Sequence, residues 1–232
     1  MKIKVVSNIL KANDSIAEEN RGLFKENGLF VINLISSPGA GKTSLLEKTI
    51  PLLSSPPSKG GKWGGISIGV IEGDIATTRD AERIEKTGAR VIQINTNGAC
   101  HLDSNMIRTS LRDFPLNGLD ILFIENVGNL VCPANFNLGE DVKAVILSIT
   151  EGDDKPKKYP GIFREARVLI INKADLLPYT DCSIDKIKKE SLEINPDLNI
   201  FEVSCRSGEG LDRWCNWVKA QKKTYSATNL HE

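Results

Sequence analysis

The sequence has no excess of either charge, because its 232 residues include 30 Lys and Arg and 30 Asp and Glu. A balanced charge favours neither a nucleic acid nor a membrane surface as a partner. No apolar run is long enough to cross a bilayer, and polar residues interrupt segment 1–15 before it could form the core of a signal peptide. These absences predict a cytoplasmic protein.

Histidine is scarce, because the chain contains only His101 and His231. There are five cysteines, and in the cytoplasm they are expected to be reduced thiols or metal ligands rather than disulfides. Any site that needs an imidazole therefore has two candidates.

Apolar runs alternate with helix-forming segments along most of the chain, which is long enough for one well-buried domain. Strands that are apolar throughout, each followed by a helix or crossover, indicate a mostly parallel sheet of about seven strands in a three-layer α/β/α fold. We expect a single domain over 1–232, with a helical extension at 1–28, a flexible Pro/Gly/Ser-rich loop at 54–65 and a frayed tail at 223–232. Ligands bind such sheets at the carboxyl ends of the strands.

The segment from Leu29 to Lys48 has the strand, loop and helix order of a phosphate-binding loop. Such a loop wraps backbone N–H groups around anionic oxygens at a helix N-terminus. Lys42 is expected to reach the β- and γ-phosphates, and the Thr43 hydroxyl to bind Mg²⁺. Ser36 replaces the first glycine of the usual Gly-x-x-x-x-Gly-Lys-Ser/Thr pattern, but the strand before it and the helix after it favour this interpretation over a purely structural turn. The predicted nucleotide-binding residues of this loop are Ser37, Pro38, Gly39, Ala40, Gly41, Lys42, Thr43 and Ser44.

The segment Asn172-Lys173-Ala174-Asp175 follows a later strand and predicts guanine as the base. A carboxylate at its fourth position can accept hydrogen bonds from guanine N1–H and the exocyclic amine. Adenine offers no such pair, so a buried, unpaired Asp175 would penalise ATP. A second base-binding loop is expected after the last strand, at Ser204, Cys205 and Arg206, with Arg206 where a lysine is common.

Two strand-end carboxylates, Asp74 and Glu125, are candidate Mg²⁺ ligands beside Thr43. Glu125-Asn126-Val127-Gly128 resembles the Asp-x-x-Gly switch of GTPases, and the N–H of Gly128 would then sense the γ-phosphate. The predicted catalytic set is Lys42, Thr43, Glu125 and Asp74. The alternative is that both carboxylates are ordinary strand ends. Hydrolysis is expected to be slow, because no obvious glutamine is available to position water.

Cys100 and His101 follow a strand, and Cys132 lies just beyond the switch. Two thiolates and one imidazole suit Zn²⁺ or Ni²⁺, with a fourth position open or filled by another subunit. The alternative is structural, because cysteine is often a small buried apolar residue and a lone histidine is usually structural.

Six segments together resemble the hydrogenase nickel-incorporation GTPases of the HypB family, over 29–217: SSPGAGKTS, IEGDIATTRDAERI, NTNGACHLD, IENVGNLVCPANFNLGE, ITEGDDKPKKYP and INKADLLPY. That family belongs to the dimeric SIMIBI class of phosphate-loop GTPases, with the urease-maturation GTPase. The resemblance implies a metallochaperone that hydrolyses GTP to GDP and assists nickel insertion into nickel–iron hydrogenase. It further implies that Cys100, His101 and Cys132 bind metal at a homodimer interface. The implied partners are the nickel chaperone HypA and the hydrogenase large-subunit precursor.

Three other functions remain as alternatives. A urease-type nickel-insertion GTPase typically has Cys-Pro-His after the switch, whereas this chain has Cys132-Pro133-Ala134 there. An ATP-dependent small-molecule kinase would require the guanine motif to be accidental. A passive metal-binding protein with a degenerate nucleotide site is disfavoured by the intact Lys42, Thr43 and Asp175.

Overall fold

Seven strands and eight α-helices alternate along residues 8–55, 65–75 and 77–229, which are the part of the chain that the computed structural model describes. The strands are β1 (Phe30–Ser36), β2 (Ile68–Asp74), β3 (Arg90–Asn95), β4 (Ile121–Glu125), β5 (Val142–Ser148), β6 (Val168–Asn172) and β7 (Asn199–Glu202). The helices are α1 (Asn8–Glu26), α2 (Lys42–Ser54), α3 (Arg79–Glu85), α4 (Ser104–Ser110), α5 (Lys155–Lys158), α6 (Pro160–Glu165), α7 (Ile184–Ile194) and α8 (Leu211–Asn229). Short 3₁₀ helices span Cys132–Asn135, Ile149–Glu151 and Ala174–Tyr179.

The strands form one sheet in the order β3-β2-β4-β1-β5-β6-β7, and every neighbouring pair is parallel. Because all the carboxyl ends lie at one edge, the loops after β1, β2, β4 and β6 meet there. The predicted α/β fold with a mostly parallel sheet of about seven strands is confirmed.

Helices cover both faces of the sheet, as the alternation of side chains along β1 shows. Ile32 and Leu34 pack in one core cluster with residues of α2 and α8, among them Trp214 of α8. Val31 belongs to a second cluster with α1 and α4, and Ile35 to a third with α6 and α7. Successive side chains of a strand point to opposite faces of the sheet, so β1 contributes to the helix layers on both faces.

The expected frayed tail was wrong for residues 223–229, because α8 continues to Asn229. The ring of Tyr225 packs against Phe30 of β1, with ring centroids 5.8 Å apart, which gives the last turns of α8 a core contact. Most of the expected flexible loop falls on 56–64, and the end of the tail on 230–232, both outside the described residues. Within the described ranges, no helix is both long and apolar enough to cross a membrane.

Candidate functional site

The phosphate loop joins the buried end of β1 to the start of α2 at Lys42. Ser36, the residue that departs from the usual glycine, is fully buried, and its hydroxyl donates to the Ser37 carbonyl at 2.6 Å. The same hydroxyl oxygen accepts from the Lys42 ammonium at 3.1 Å. Ser36 therefore holds the lysine that is expected to bind phosphate, which explains how the loop accommodates a serine there.

The phosphate loop packs directly against the predicted base-binding motif. Gly41 has φ of 102°, and a Cβ there would collide with the side-chain amide of Asn172. That amide donates to the Ala40 carbonyl at 2.9 Å, and the Lys173 ammonium donates to the Gly39 carbonyl at 2.9 Å. The Asn172 contact needs the close approach that a glycine at position 41 allows.

The two predicted base-binding loops, 172–175 and 204–206, are joined by hydrogen bonds. Asn172 accepts from the N–H of Lys173 at 2.7 Å and from that of Cys205 at 3.4 Å. The buried Ser204 hydroxyl donates to the Asp175 carboxylate at 2.6 Å. Arg206 is exposed at the end of this loop. The structure thus brings the phosphate loop and both base-binding loops to one place.

Thr43 and Glu125, two of the predicted Mg²⁺ ligands, are in contact. The Thr43 hydroxyl donates to Glu125 Oε1 at 2.8 Å, and both side chains are buried. Glu125 Oε2 is buried without a hydrogen-bond partner among the described residues. Burial raises the pKa of Glu125 to about 7, although the nearby Lys42 charge opposes the shift. An orphaned carboxylate oxygen beside a threonine hydroxyl is a donor set that fits Mg²⁺.

Asp74, the third predicted Mg²⁺ ligand, ends β2 and is partly buried. Its carboxylate accepts hydrogen bonds from the N–H of Ile75 at 2.6 Å, and from the N–H and hydroxyl of Thr77 at 2.9 and 2.8 Å. In this structure Asp74 therefore organises the start of the loop that leads to α3.

Glu72 is a buried carboxylate of the same region that sequence reasoning missed. It lies in register with Glu125 on the neighbouring strand, and only 2% of its surface is exposed. Burial, followed by the charges of Glu125 and Asp74, raises the pKa of Glu72 to about 8. The available signal was a glutamate inside an apolar strand, directly before Gly73.

Gly128, the predicted γ-phosphate sensor, packs on the phosphate loop. A Cβ at this position would lie 2.9 Å from both Cα and N of Pro38. The segment from Glu125 to Gly128 thus contacts the phosphate loop through both its ends, since Glu125 bonds to Thr43. Because the two loops are closely packed, a displacement of one is expected to displace the other.

Cys100, His101 and Cys132 form one cluster at the carboxyl edge of the sheet. Their ligand atoms all lie within 4.8 Å of one another, and Cys100 Sγ is 3.6 Å from His101 Nδ1. This is the only such group of His, Cys, Asp or Glu residues in 8–55, 65–75 and 77–229. The cluster depends on the fold, because its two loops follow β3 and β4, which are separated by β2.

The surroundings of the cluster favour metal binding by neutral imidazole. Partial burial lowers the pKa of His101, and its ring packs on that of Phe136 with centroids 3.9 Å apart. A hydrogen bond with Cys132 raises the pKa of the exposed Cys100 thiol. Because the thiolate is the metal ligand, a bound cation would displace the Cys100 proton.

The buried Asn126 links the metal loop to the switch. Its side-chain oxygen accepts from the N–H of Leu102 and from its neighbour Val127, both at 3.0 Å. Leu102 directly follows His101, and Asn126 directly follows Glu125. The position of the His101 loop is therefore tied to the residue next to the predicted Mg²⁺ ligand.

Comparison with known proteins places the chain in a family. A family model described as CobW/HypB/UreG, nucleotide-binding domain, matches residues 30–202. The hydrogenase maturation factor HypB of Escherichia coli K12 is 46% identical over 220 residues, covering 95% of this chain and 73% of that protein. The probable hydrogenase maturation factor HypB of Methanocaldococcus jannaschii is 38% identical over 221 residues, covering 95% of this chain and 96% of that protein.

A solved structure agrees with the sequence matches. The crystal structure of HypB from Helicobacter pylori in complex with nickel is 36% identical, covers 92% of this chain and 96% of that one, and gives a TM-score of 0.83. The chain belongs to the HypB family of hydrogenase maturation factors.

Proposed function

We propose that this chain is a GTP-hydrolysing nickel metallochaperone that assists nickel insertion during maturation of nickel–iron hydrogenase. The observation that carries the proposal is the position of Cys132, which lies in the same loop as Gly128. That loop packs on Pro38 of the phosphate loop at one end and supplies a metal ligand at the other. A movement of the phosphate loop on nucleotide binding or hydrolysis can therefore reach the metal ligand through this one loop.

Guanine nucleotide binding is supported by the joined base-binding loops. Asp175 is positioned by the Ser204 hydroxyl, which leaves its second carboxylate oxygen to accept from guanine. The Lys173 ammonium stiffens the turn between base and phosphate by its bond to the Gly39 carbonyl. GTP and GDP are the proposed nucleotides, and ATP cannot satisfy Asp175.

Hydrolysis rests on Lys42, Thr43, Glu125 and Asp74. Lys42 would leave Ser36 to neutralise the β- and γ-phosphates, and the backbone N–H groups at the start of α2 would bind the same anions. Thr43, Glu125 and Asp74 would hold Mg²⁺, which when bound offsets the charge of the phosphate oxygens. We expect slow hydrolysis, because the switch segment 125–128 has no glutamine to orient the attacking water.

Nickel or zinc is the proposed cargo of the cluster. Two thiolates and one imidazole give three ligands for either ion. One further position would be completed by a second copy of the chain. Cys100 is exposed, and Val131 beside Cys132 is 58% exposed, so a homodimer interface here would cover both. Family membership supports HypA and the hydrogenase large-subunit precursor as partners and a cytoplasmic location.

The nucleotide part is tested by phosphate release from GTP and ATP, for the wild type and Asp175→Ala. We expect the wild type to hydrolyse GTP slowly and ATP not at all. Loss of the partly buried Asp175 carboxylate should weaken GTP binding by roughly 10- to 100-fold. Equal use of ATP and GTP by the wild type would refute the GTPase assignment.

The metal part is tested by titrating Ni²⁺ and Zn²⁺ into the wild type, Cys132→Ala and the matched control Cys182→Ala. Cys182 is partly buried and lies outside the cluster. We expect Cys132→Ala to lose at least about 10-fold in metal affinity and Cys182→Ala to retain it. Unchanged affinity in Cys132→Ala would rule out this site as the cargo site.

A further inference from the structure

We propose that Asn129 is the positioning residue that couples the nucleotide switch to the metal site. Its side chain would hold the Cys100 and Cys132 loops at ligand distance, and the nucleotide would control metal affinity by moving it. This inference rests on the proposed function and names the residue through which that function is transmitted.

The side chain of Asn129 spans the two loops that carry the metal ligands. Its amide donates to the Cys100 carbonyl at 3.3 Å. Its oxygen accepts from the N–H of Val131 at 2.8 Å and from that of Cys132 at 3.3 Å. A single side chain thus fixes the backbone of both thiol ligands.

An asparagine carries its donor and its acceptor on two separate atoms, so it can bond to two loops at once. It offers a donor and an acceptor on one carboxamide, whereas an aspartate is acceptor-only when ionised and an alanine offers neither. An aspartate could keep the bonds to Val131 and Cys132, but it would face the Cys100 carbonyl with a second acceptor.

Asn129 directly follows Gly128, the residue that packs on the phosphate loop. Because a Cβ at Gly128 would lie 2.9 Å from Pro38, there is no spare space between the two backbones. A γ-phosphate that draws or pushes the Gly128 N–H therefore also displaces Asn129. The bond to the Cys100 carbonyl is then strained, while the bonds within its own loop, to Val131 and Cys132, move with Asn129.

Asn126 makes the other link between the same loops, but it is suited to a fixed role. Asn126 is 1% exposed, and its amide also donates to Asn33 of β1 at 3.3 Å, so it is anchored in the sheet. Asn129 is more exposed and bonds only to the two loops among the described residues. Buried hydrogen bonds open less readily than exposed ones, so the change is expected at Asn129.

The test compares the wild type, Asn129→Ala, Asn129→Asp and a control, Asn105→Ala. Asn105 is exposed on α4, close in sequence to the metal loop. The affinity of each full-length protein for Ni²⁺ and for Zn²⁺ is measured without nucleotide, with GDP and with a non-hydrolysable GTP analogue. Nucleotide affinity is measured on the metal-free proteins.

We expect Asn129→Ala to bind both metals about 10- to 100-fold more weakly without nucleotide, as for other residues that support a metal ligand. It should also lose most of the difference between GDP and the GTP analogue. Asn129→Asp should fall between Asn129→Ala and the wild type, and Asn105→Ala should match the wild type. Metal-free nucleotide affinity should stay within about two-fold in all four, because the side chain of Asn129 bonds to the metal loops and not to the phosphate or base-binding loops.

A spectroscopic readout separates positioning from general destabilisation. At saturating Ni²⁺ the nickel–thiolate charge-transfer absorption of Asn129→Ala should be weaker than that of Asn105→Ala, because the Cys100 loop is no longer held. A wild-type spectrum together with wild-type metal affinities in Asn129→Ala would overturn the inference. So would wild-type behaviour in Asn129→Asp, because the bond to Cys100 would then be unnecessary.

The proposed function fails in a different way. If the wild type binds metal equally in all nucleotide states, the proposed coupling between nucleotide and metal affinity in this protein is refuted. Asn129 then has no coupling to transmit. If Cys132→Ala keeps its metal affinity, the cargo site itself is refuted. If the wild type is coupled and Asn129→Ala is equally coupled, only the role of Asn129 is refuted.

Discussion

The nucleotide region, formed by the phosphate and base-binding loops, differs in burial from the metal region, formed by Cys100, His101 and Cys132 with their loops. The phosphate loop and base-binding loops are joined by buried side chains, among them Ser36, Asn172 and Ser204. The metal cluster includes an exposed Cys100 and is held by Asn126 of the switch and by Asn129, which directly follows the switch. A site that must bind the same nucleotide in each cycle gains from a preorganised frame. A site that must release its cargo gains from loops that can separate.

The position of each region in the sheet gives the physical reason. The phosphate loop follows β1 at the centre of the sheet, and all of β1 is buried. Cys100 and His101 follow β3 at one edge, where the strand is only partly covered. Segments with fewer buried contacts open at lower free energy, so the metal side is the one expected to move.

The largest expected effect comes from removing the charge that holds phosphate. Lys42→Ala should lower GTP hydrolysis by roughly 10²- to 10³-fold, because transition-state charge loses a preorganised donor. Metal affinity without nucleotide should not change, since Lys42 bonds to Ser36 rather than to the metal loops. Phosphate release and metal titration measure both, with Lys48→Ala, an exposed lysine of the same helix, as control. A large loss of metal affinity in nucleotide-free Lys42→Ala would erase the distinction between the two regions.

An intermediate effect is expected where the two regions touch. Gly128→Ala places a Cβ against Pro38 and should displace the switch loop. Metal affinity should fall by roughly 10-fold and its dependence on nucleotide should shrink, because two packed loops couple when one shifts. Gly161→Ala is the control, since a Cβ there meets nothing within 4 Å. Normal metal affinity with normal nucleotide dependence in Gly128→Ala would show that this contact transmits nothing.

The smallest expected effect concerns Glu72 inside the nucleotide region. Its pKa is raised from 4.5 to about 8, so the stability it contributes is fully present below pH 4.5 and is lost as the pH rises through about 8. In the protein free of nucleotide and Mg²⁺, Glu72→Gln should therefore be more stable than the wild type at about pH 8.5, with a smaller difference at about pH 6. The melting temperature should differ by roughly a few degrees.

Thermal unfolding across that pH range measures the effect, and the exposed Glu193→Gln is the control. Stability will still fall somewhat with rising pH in Glu72→Gln, because burial also raises the pKa of Glu125 to about 7 and that of Asp141 to about 6. If stability falls with pH equally in Glu72→Gln and the wild type, the pKa of Glu72 is not raised in the folded protein.

The sequence was most informative where the chemistry is local. The strand, loop and helix around Lys42 lie where the motif predicts, and β6 ends at Asn172 as its apolar run indicates. Such motifs encode their own backbone geometry within a few residues, so spacing is enough to find them. The apolar runs likewise located the strands, since parallel strands are buried on both faces.

Contacts between distant segments could not be read from spacing. The pairing of Glu72 with Glu125 and the bond of Asn129 to the Cys100 carbonyl depend on strand order, which no local pattern contains. The sequence suggested that Cys100, His101 and Cys132 share a site, but the order β3-β2-β4 is what brings their loops together. The end of α8 was missed for the same reason, because Tyr225 is held by Phe30 from the other end of the chain.

The central claim is that the two regions are coupled, and binding couplings must be reciprocal. The most direct measurement is therefore the affinity of the wild-type protein for GDP and for a non-hydrolysable GTP analogue, with and without saturating Ni²⁺. We expect nickel to change the ratio of the two affinities by at least about five-fold. An identical ratio with and without nickel would contradict the account.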